Sequence, residues 1–292
     1  MYRSLAAAVR DAEMRGMRLC DVALHAESED QGRPIGEIRD VLHRALVVMQ
    51  GAVQRGLVGD LYSQSGLVGG DAAKLVHGPP GPLANTPFRD ILARALAVQE
   101  VNAAMGVIVA APTAGGAGVL PAVLTGLAAA RGLSDDQLVD ALATAGLIGA
   151  VVAERASLSG AEGGCQAETG AAAGMAAGAA TEMLGGTPRQ VSHAVALAQQ
   201  GTLGLVCDPL GGLVELPCVF RNATGAAIAM AAIEMALAGV EFAIPADEVI
   251  DTMGDIGRDM DVRYRETAGG GLAATPTGRR LARERLVQIK KA

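Results

Sequence analysis

The strongest constraint on the fold of this chain comes from two segments built mainly of alanine and glycine. Residues 165–184 and 222–239 are apolar almost all round, and the second reads NATGAAIAMAAIEMALAG. Helices of this kind lie in the middle of a bundle, where small side chains let neighbouring helices approach closely. Only 2% of the 292 residues are aromatic and none is Trp, whereas β-sandwiches and barrels normally alternate aromatic and β-branched residues. The sequence therefore predicts an all-α fold.

Periodicity and capping signals predict the other helices. Apolar residues at helical spacing predict helices over residues 35–57, about 90–110, about 247–260 and near the C-terminus. Two capping boxes predict helix starts, at Ser134 with Gln137 and at Thr187 with Gln190. Because no clear boundary interrupts this pattern, we expect one bundle-like domain over residues 35–292, with Gly-rich functional loops. Residues 1–34 are more polar and are predicted to be a peripheral N-terminal segment.

Composition excludes several classes of protein. The formal net charge is -7, and no basic stripe interleaved with aromatic residues is present, which argues against nucleic-acid binding. The stretch Val101–Ala130 lacks charged residues and is long enough to span a bilayer, but two prolines and a Gly-Gly-Ala-Gly run argue against lipid exposure. The N-terminus lacks a signal-peptide pattern, and four scattered cysteines do not resemble a disulfide scaffold. We therefore expect a cytoplasmic protein without a membrane segment.

Three of the four cysteines share a sequence context. Cys165, Cys207 and Cys218 each adjoin Gly or Pro and a polar residue, in GGCQAE, LVCDPLGGL and LPCVFRN, whereas Cys20 lies in a charged stretch. The closely spaced cysteine pairs typical of structural zinc are absent. Three soft thiolates from separate loops suit an iron–sulfur cluster, with one iron left open as a Lewis acid. On spacing alone, three buried structural thiols remain an equal alternative.

Several blocks of the sequence carry a resemblance to a known family. SQSGLVGGDAAK, NAAMGVIVAAPTAGGAGVLPAVL, SGAEGGCQAETG, GLVCDPLGGLVELPCVFRN and RETAGGGLAATPTG occur in this order. Together they resemble the α subunit of the bacterial iron–sulfur-dependent L-serine dehydratases, from about residue 20 to the end of the chain.

The resemblance implies a helical [4Fe–4S] enzyme that converts L-serine to pyruvate and ammonia without pyridoxal phosphate. The family's three cluster ligands map onto Cys165, Cys207 and Cys218. A separate β subunit completes the two-chain form of the enzyme, and we expect an oligomer. In single-chain relatives a cysteine close to the C-terminus can occupy the fourth iron. This chain ends GRRLARERLVQIKKA and has no such cysteine.

Elimination of water from serine requires that the substrate carboxylate be held. Backbone N–H groups of a Gly-rich loop before a helix make an anion site. The candidates for substrate binding lie in two loops and one helix: Ser63, Ser65, Gly66, Thr113, Ala114, Gly115, Gly116 and Asn222. Arg221 and Asn222 follow Cys218 by three and four positions, so that in a helix they would share its face. Plain helix-breaking loops and an ordinary ion pair of Arg221 are the alternatives.

The general base has no clear candidate in the sequence. His193 lies between apolar neighbours in a predicted helix, which is typical of a structural histidine, and Lys74 and Asp71 suit a solvated helix start. The resemblance suggests that the β subunit contributes active-site residues, so the base is left unassigned. A related lyase acting on L-cysteine or L-threonine, a non-catalytic cluster-holding subunit and a cluster-free helical protein remain alternatives.

Overall fold

The alanine- and glycine-rich segments form the two central helices of the protein. In the computed structural model, which describes residues 2–289 and the side chains of residues 2–285, these helices are Ala171–Met183 and Cys218–Leu237. Every residue of Ala171–Thr181 is buried. At Gly178 a side-chain carbon would collide with Ile148, so the small residues are what allows the helices to pack this closely.

Thirteen α-helices and four short helical turns make up the described part of the chain, which contains isolated bridges but no strand. The α-helices are α1 (Leu5–Arg15), α2 (Leu19–Gln31), α3 (Ile35–Leu57), α4 (Asp71–His77), α5 (Pro87–Ala103), α6 (Val119–Arg131), α7 (Asp135–Arg155), α8 (Gly160–Gly163), α9 (Ala171–Met183), α10 (Pro188–Gln200), α11 (Cys218–Leu237), α12 (Ala246–Asp259) and α13 (Pro276–Ile289). A π-helix, Gln166–Gly170, joins α8 to α9, and 3-10 turns lie at Leu210–Gly212, Val262–Tyr264 and Gly271–Ala274. The all-α prediction is confirmed.

Helix α9 lies at the centre, packed against α6, α7, α10 and α11. Helix α5 connects this centre to the other side of the molecule, because it packs against α3, α4, α6 and α11. One large hydrophobic cluster fills the space between most of these helices, and two smaller clusters lie around α5. The core is made mainly of Ala, Val, Leu and Ile side chains, as the composition requires.

Both predicted capping boxes form. The Ser134 and Thr187 hydroxyls accept from the amides of Gln137 and Gln190, and each glutamine side chain accepts from the capping residue's own amide. Helix α5 ends earlier than the predicted residue 110. The reason is a left-handed residue at Met105, after which the Gly106 amide turns back to the Val101 carbonyl.

The N-terminal segment is not peripheral, so that prediction is wrong for α1 and α2. Leu5, Leu19 and Val22 are fully buried and belong to the main hydrophobic cluster. Helix α1 packs against α10 and α12, and α2 packs against α3 and α7. The charged residues that suggested a polar arm lie on the outer faces of these helices, while their apolar residues recur at the helical period and face the core.

The uncharged stretch Val101–Ala130 contains the end of α5, a Gly-rich loop and most of α6, and residues 119–128 are buried in the protein. Among residues 2–289 only α7 is long and apolar enough to cross a membrane, and 67% of its apolar window is buried against the rest of the protein.

Candidate active site

Cys165 lies at the junction between α8 and the π-helix. Its Sγ is 3.2 Å from the Thr169 Oγ1, one helical turn later, and its side chain is buried. The preceding Gly164 has φ 76°, a left-handed conformation that favours glycine, and a Cβ there would lie 2.7 Å from the Met260 sulfur. The Gln166 side chain fixes the segment by donating to the Met253 carbonyl and accepting from the Gly204 amide.

Cys207 and Cys218 lie in the segment that leads from α10 into α11. The amide of Cys207 donates to the Tyr264 carbonyl, and its carbonyl accepts from the Glu266 amide, which forms a short bridge. Cys218 is the first residue of α11 and directly follows Pro217. Both side chains are buried, and neither cysteine forms a disulfide.

The structure brings these three thiols into one electrostatic environment. Burial raises the pKa of the Cys207 thiol, and the nearby thiols of Cys165 and Cys218 raise it further. Burial, followed by the charge of Cys165, raises the pKa of Cys218 to about 12. Cys20 lies elsewhere, in the first turn of α2, where its amide donates to Glu182 on α9. Burial raises the pKa of its thiol, and the charge of Glu182 raises it further.

Arg221 joins the segments that carry Cys207 and Cys218. It lies one turn after Cys218 on α11, and its Nη1 donates to the Val206 carbonyl at 2.8 Å. Its Nη2 lies 2.7 Å from Oδ1 of Asp208, a carboxylate that is only 2% exposed. The guanidinium therefore contacts the residues on both sides of Cys207. The ion pair that was the alternative for Arg221 is present, and it links two thiol-bearing segments.

The Gly-rich loop before α6 packs directly on the Cys165 segment. The Thr113 hydroxyl donates to Glu168 Oε1 at 2.7 Å. A Cβ at Gly115 would lie 2.8 Å from Glu168 Oε2, and one at Gly116 would lie 2.9 Å from the Glu168 carbonyl oxygen. Glycine at these two positions therefore allows the loop backbone to approach the thiol site.

Asn222 holds this loop against α11. Its Oδ1 accepts from the Gly118 amide at 2.9 Å, and its Nδ2 donates to the carbonyls of Gly115 and Cys218 at 2.7 and 2.9 Å. Both amide protons are thus used within the protein, and the side chain is fully buried. The side chain positions the loop relative to Cys218, which differs from the direct substrate contact expected from the sequence.

The other predicted loop lies beside the segment that precedes Cys218. Ser63 and Ser65 are buried, and their hydroxyls are 3.5 Å apart. The Ser65 hydroxyl donates to Glu215, and the hydroxyls of Ser63 and Ser65 accept from the amides of Val68 and Leu67. Gly66 has φ 67°, which closes the turn between them and Leu67. This loop is therefore tied to Glu215, three residues before Cys218.

Three carboxylates of the site were missed by the sequence analysis: Glu168, Asp208 and Glu215. Glu168 follows Cys165 by three positions, a spacing that places both on one face of a helix, and this is the signal that could have identified it. Burial raises the pKa of Glu168, opposed by the hydrogen bond from Thr113. Asp208 and Glu215 gain their partners only through tertiary contacts.

The histidine considered as a base has a structural partner. His193 Nδ1 accepts from the Phe242 amide at 3.2 Å, between α10 and the loop before α12. Lys74 pairs with Asp71 at the exposed start of α4, 2.7 Å apart. Neither contact involves the three thiols, so the base remains unassigned in this chain.

The donor set at this site consists of three buried soft thiols. Within the described side chains, no three His, Cys, Asp or Glu groups converge as ligands of one ion would. Cluster cysteines bind separate irons, and such clusters are held by buried soft thiolates like these three. At Gly160 a Cβ would lie 3.2 Å from the Cys207 sulfur, so glycine keeps the backbone clear beside a donor atom.

Comparison with known proteins agrees with the resemblance in the sequence. Residues 14–273 match the family model described as serine dehydratase alpha chain. The chain is 48% identical to the probable L-serine dehydratase, alpha chain, of Bacillus subtilis (strain 168), over 97% of this chain and 95% of that relative. It is 40% identical to the L-serine dehydratase, alpha chain, of Peptoniphilus asaccharolyticus, over 92% of this chain and 93% of the relative.

A longer relative carries the same region within a single chain. The L-serine dehydratase of Streptomyces coelicolor (strain ATCC BAA-471 / A3(2) / M145) is 44% identical over 86% of this chain, but the match covers only 56% of that protein. The family match over most of the chain, together with these long and similar relatives, confirms the resemblance. This chain belongs to the serine dehydratase alpha chain family.

Proposed function

We propose that this chain is the cluster-binding subunit of an L-serine dehydratase, which converts L-serine to pyruvate and ammonia in the cytoplasm. The observation that carries the proposal is that three free, buried thiols from separate segments share one electrostatic environment in a member of this family. Cys165, Cys207 and Cys218 would hold a [4Fe–4S] cluster. When bound, a cluster with an iron free of cysteine supplies a Lewis acid for departure of the serine hydroxyl.

The loop before α6 would hold the substrate carboxylate. In the described part of the chain, the amides of Ala114, Gly115 and Gly116 donate to no protein acceptor. Three successive free N–H groups ahead of a helix form an anion site, and the partial positive charge of the helix start favours a carboxylate there. Asn222 fixes this loop relative to Cys218, so the held substrate would keep a constant position beside the thiols.

The Ser63–Gly66 loop would form a second wall of the substrate site. Its two serines lie beside Glu215 and close to the start of α11, and their hydroxyls offer polar contacts to a small hydroxy amino acid. The base that removes the α-proton has no assignment in this chain, where the histidine and lysine considered for this role are engaged elsewhere. As the resemblance suggests, a second chain would contribute active-site residues.

A second, β chain is part of the proposal. Two relatives of nearly the same length carry the name alpha chain, and a longer relative with a one-chain name contains this region in 56% of its length. A second polypeptide would correspond to the part of the longer relative that does not align with this chain. The active assembly would then contain both chains and form an oligomer.

Anaerobic reconstitution tests this function directly. The chain is prepared with iron and sulfide, with and without the β chain, and pyruvate or 2-oxobutyrate is measured from L-serine, L-cysteine and L-threonine. We expect pyruvate chiefly from L-serine, with the highest rate when both chains are present. Faster turnover of L-cysteine or L-threonine would identify a related lyase, and a stable cluster without any turnover would identify a non-catalytic cluster-holding subunit.

A further inference from the structure

Glu168 places a carboxyl group beside the thiols without a cationic partner. Among the side chains of residues 2–285, no Lys, Arg or His lies within ion-pair distance of its carboxylate. Arg221, the guanidinium that acts on the thiols of Cys165 and Cys218, is paired with Asp208 at 2.7 Å. The charged groups that influence Glu168 and the three thiols near it are otherwise acidic, including Glu266. A cationic ligand would therefore meet a carboxyl group that no described cationic side chain of the protein already pairs with.

One oxygen of Glu168 has unused hydrogen-bonding capacity. Oε1 accepts from the Thr113 hydroxyl at 2.7 Å, whereas Oε2 has only the Cys207 sulfur, 4.0 Å away. Glu215 provides a useful contrast, because both of its oxygens accept from Ser65. An ionised carboxylate can accept about four hydrogen bonds, so Glu168 can receive a further donor.

Glycines surround this oxygen and keep the backbone close to it. A Cβ at Gly160 would lie 2.6 Å from Oε2, and a Cβ at Gly115 would lie 2.8 Å from the same atom. Gly115 also belongs to the loop whose amides are free of protein acceptors in the described chain. A carboxylate that lacks a cation therefore lies next to N–H groups that lack an anion.

This pair of opposite features matches an α-amino acid, which carries an ammonium and a carboxylate on the same carbon. We infer that Glu168 binds the ammonium group of the substrate while the amides of residues 114–116 bind its carboxylate, an inference that rests on the proposed function. Glu168 is thus the residue that selects an amino acid over a hydroxy acid of the same length. It also orients Cα by fixing two of its substituents.

Glu168→Gln tests the inference by comparing two ligands. L-Serine carries the ammonium group, whereas 3-hydroxypropionate has the same carboxylate and hydroxyl and lacks it. A hydrogen bond to a charged group contributes about 1.5–3 kcal/mol, so we expect kcat/KM for L-serine to fall roughly 10- to 100-fold, mainly through KM. The inhibition constant of 3-hydroxypropionate should change by less than about 3-fold, which corresponds to less than about 0.7 kcal/mol.

Two further variants make the comparison specific. Glu168→Asp keeps the charge and should restore part of the affinity for L-serine. Glu162→Gln removes a carboxylate from the same segment, where it is exposed and accepts only from Ser157, and should leave both constants unchanged. Iron and sulfide content is measured on every variant, because these values report on the cluster independently of turnover.

Three results would overturn the inference. Equal weakening of L-serine and 3-hydroxypropionate would mean that Glu168 only shapes the loop. A fall in kcat at unchanged KM would assign it to chemistry, and loss of iron in Glu168→Gln would assign it to the cluster. Failure of the proposed function appears separately, as absence of pyruvate from L-serine with the wild-type protein. If the wild-type protein forms no pyruvate, calorimetry can measure the binding of L-serine and 3-hydroxypropionate to the wild type and to Glu168→Gln. The two dissociation constants then give the same comparison as the kinetic constants.

Discussion

At the scale of single residues, the ion pair of Arg221 with Asp208 links two of the three thiol-bearing segments. Arg221 belongs to the helix that Cys218 begins, and Asp208 directly follows Cys207. Asp208 also accepts from the Leu272 amide at 2.6 Å, so one buried carboxylate joins three parts of the chain. A buried pair of this kind is not a reliable source of net stability, but removal of one partner leaves an uncompensated buried charge.

We expect Asp208→Asn to destabilise the fold by about 3–5 kcal/mol, because Arg221 would remain charged and partly enclosed. It should also lower iron incorporation, since the separation of Cys207 and Cys218 would no longer be fixed. Urea unfolding and iron analysis measure the two effects. The matched control is Asp255→Asn, which breaks an exposed pair with Arg258 and should cost less than about 1 kcal/mol. Equal effects of the two substitutions would contradict this role for Asp208.

Cys20 differs from the other cysteines in its surroundings, and its reactivity should show this. Its side chain is fully buried, and burial raises the pKa of the thiol above its ordinary value. Because only the thiolate reacts with iodoacetamide, Cys20 should remain unlabelled at pH 8 in the folded protein and become labelled after unfolding in urea. Mass spectrometry of the Cys20 peptide measures both states. Rapid labelling of the folded protein would show that the α2 region opens readily.

At the scale of helices, three starts are capped by carboxylates from remote parts of the chain. Asp247 accepts from the first amides of α1, Glu182 from those of α2 and Glu100 from those of α4. A negative charge at a helix start compensates both the free N–H groups and the helix dipole. These contacts fix α1 against α12 and α2 against α9. They also fix α4 against α5, and α4 follows the Ser63–Gly66 loop.

The cap from Glu182 predicts a pH dependence of stability. Burial raises the pKa of Glu182, opposed by hydrogen bonds from Thr144 and from the amides of Leu19 and Cys20. Because the folded pKa lies above the unfolded value of about 4.3, the folded state retains a proton that the unfolded state releases. The contribution of this carboxyl is therefore fully present below the unfolded pKa and is lost as pH rises through the folded pKa.

Glu182→Gln should remove this part of the pH dependence, because the amide does not titrate in this range. The free energy of unfolding in urea, measured between about pH 4.5 and 8, should fall less steeply with pH in the variant than in the wild type. Parallel curves for the two proteins would contradict the assignment.

Some of these elements could be predicted from the sequence and others could not. The capping boxes at Ser134 and Thr187 were predictable because both partners lie within four residues of each other. The cap from Asp247 to Leu5 joins residues 242 positions apart, and no local sequence pattern predicts such a contact. For the same reason the N-terminal helices looked peripheral, since their buried faces become evident only when α10 and α12 are in place.

At the scale of the whole molecule, the candidate site is a product of tertiary packing. The three cysteines are separated by 42 and 11 positions, and their spacing alone left a cluster and three structural thiols as equal alternatives. The family resemblance selected the ligands, and the fold then revealed what surrounds them. Glu168 and Asp208 emerged only from the structure, because their roles depend on the Thr113 loop and on Arg221.

The proposed function requires that Cys165, Cys207 and Cys218 bind one cluster and that Cys20 does not. Iron, acid-labile sulfide and visible absorbance are measured on anaerobically prepared single Cys→Ala variants. We expect each of the three substitutions to abolish the cluster signal, while Cys20→Ala retains the wild-type content. Full iron and sulfide in any of the three variants, or an equal loss in Cys20→Ala, would contradict it.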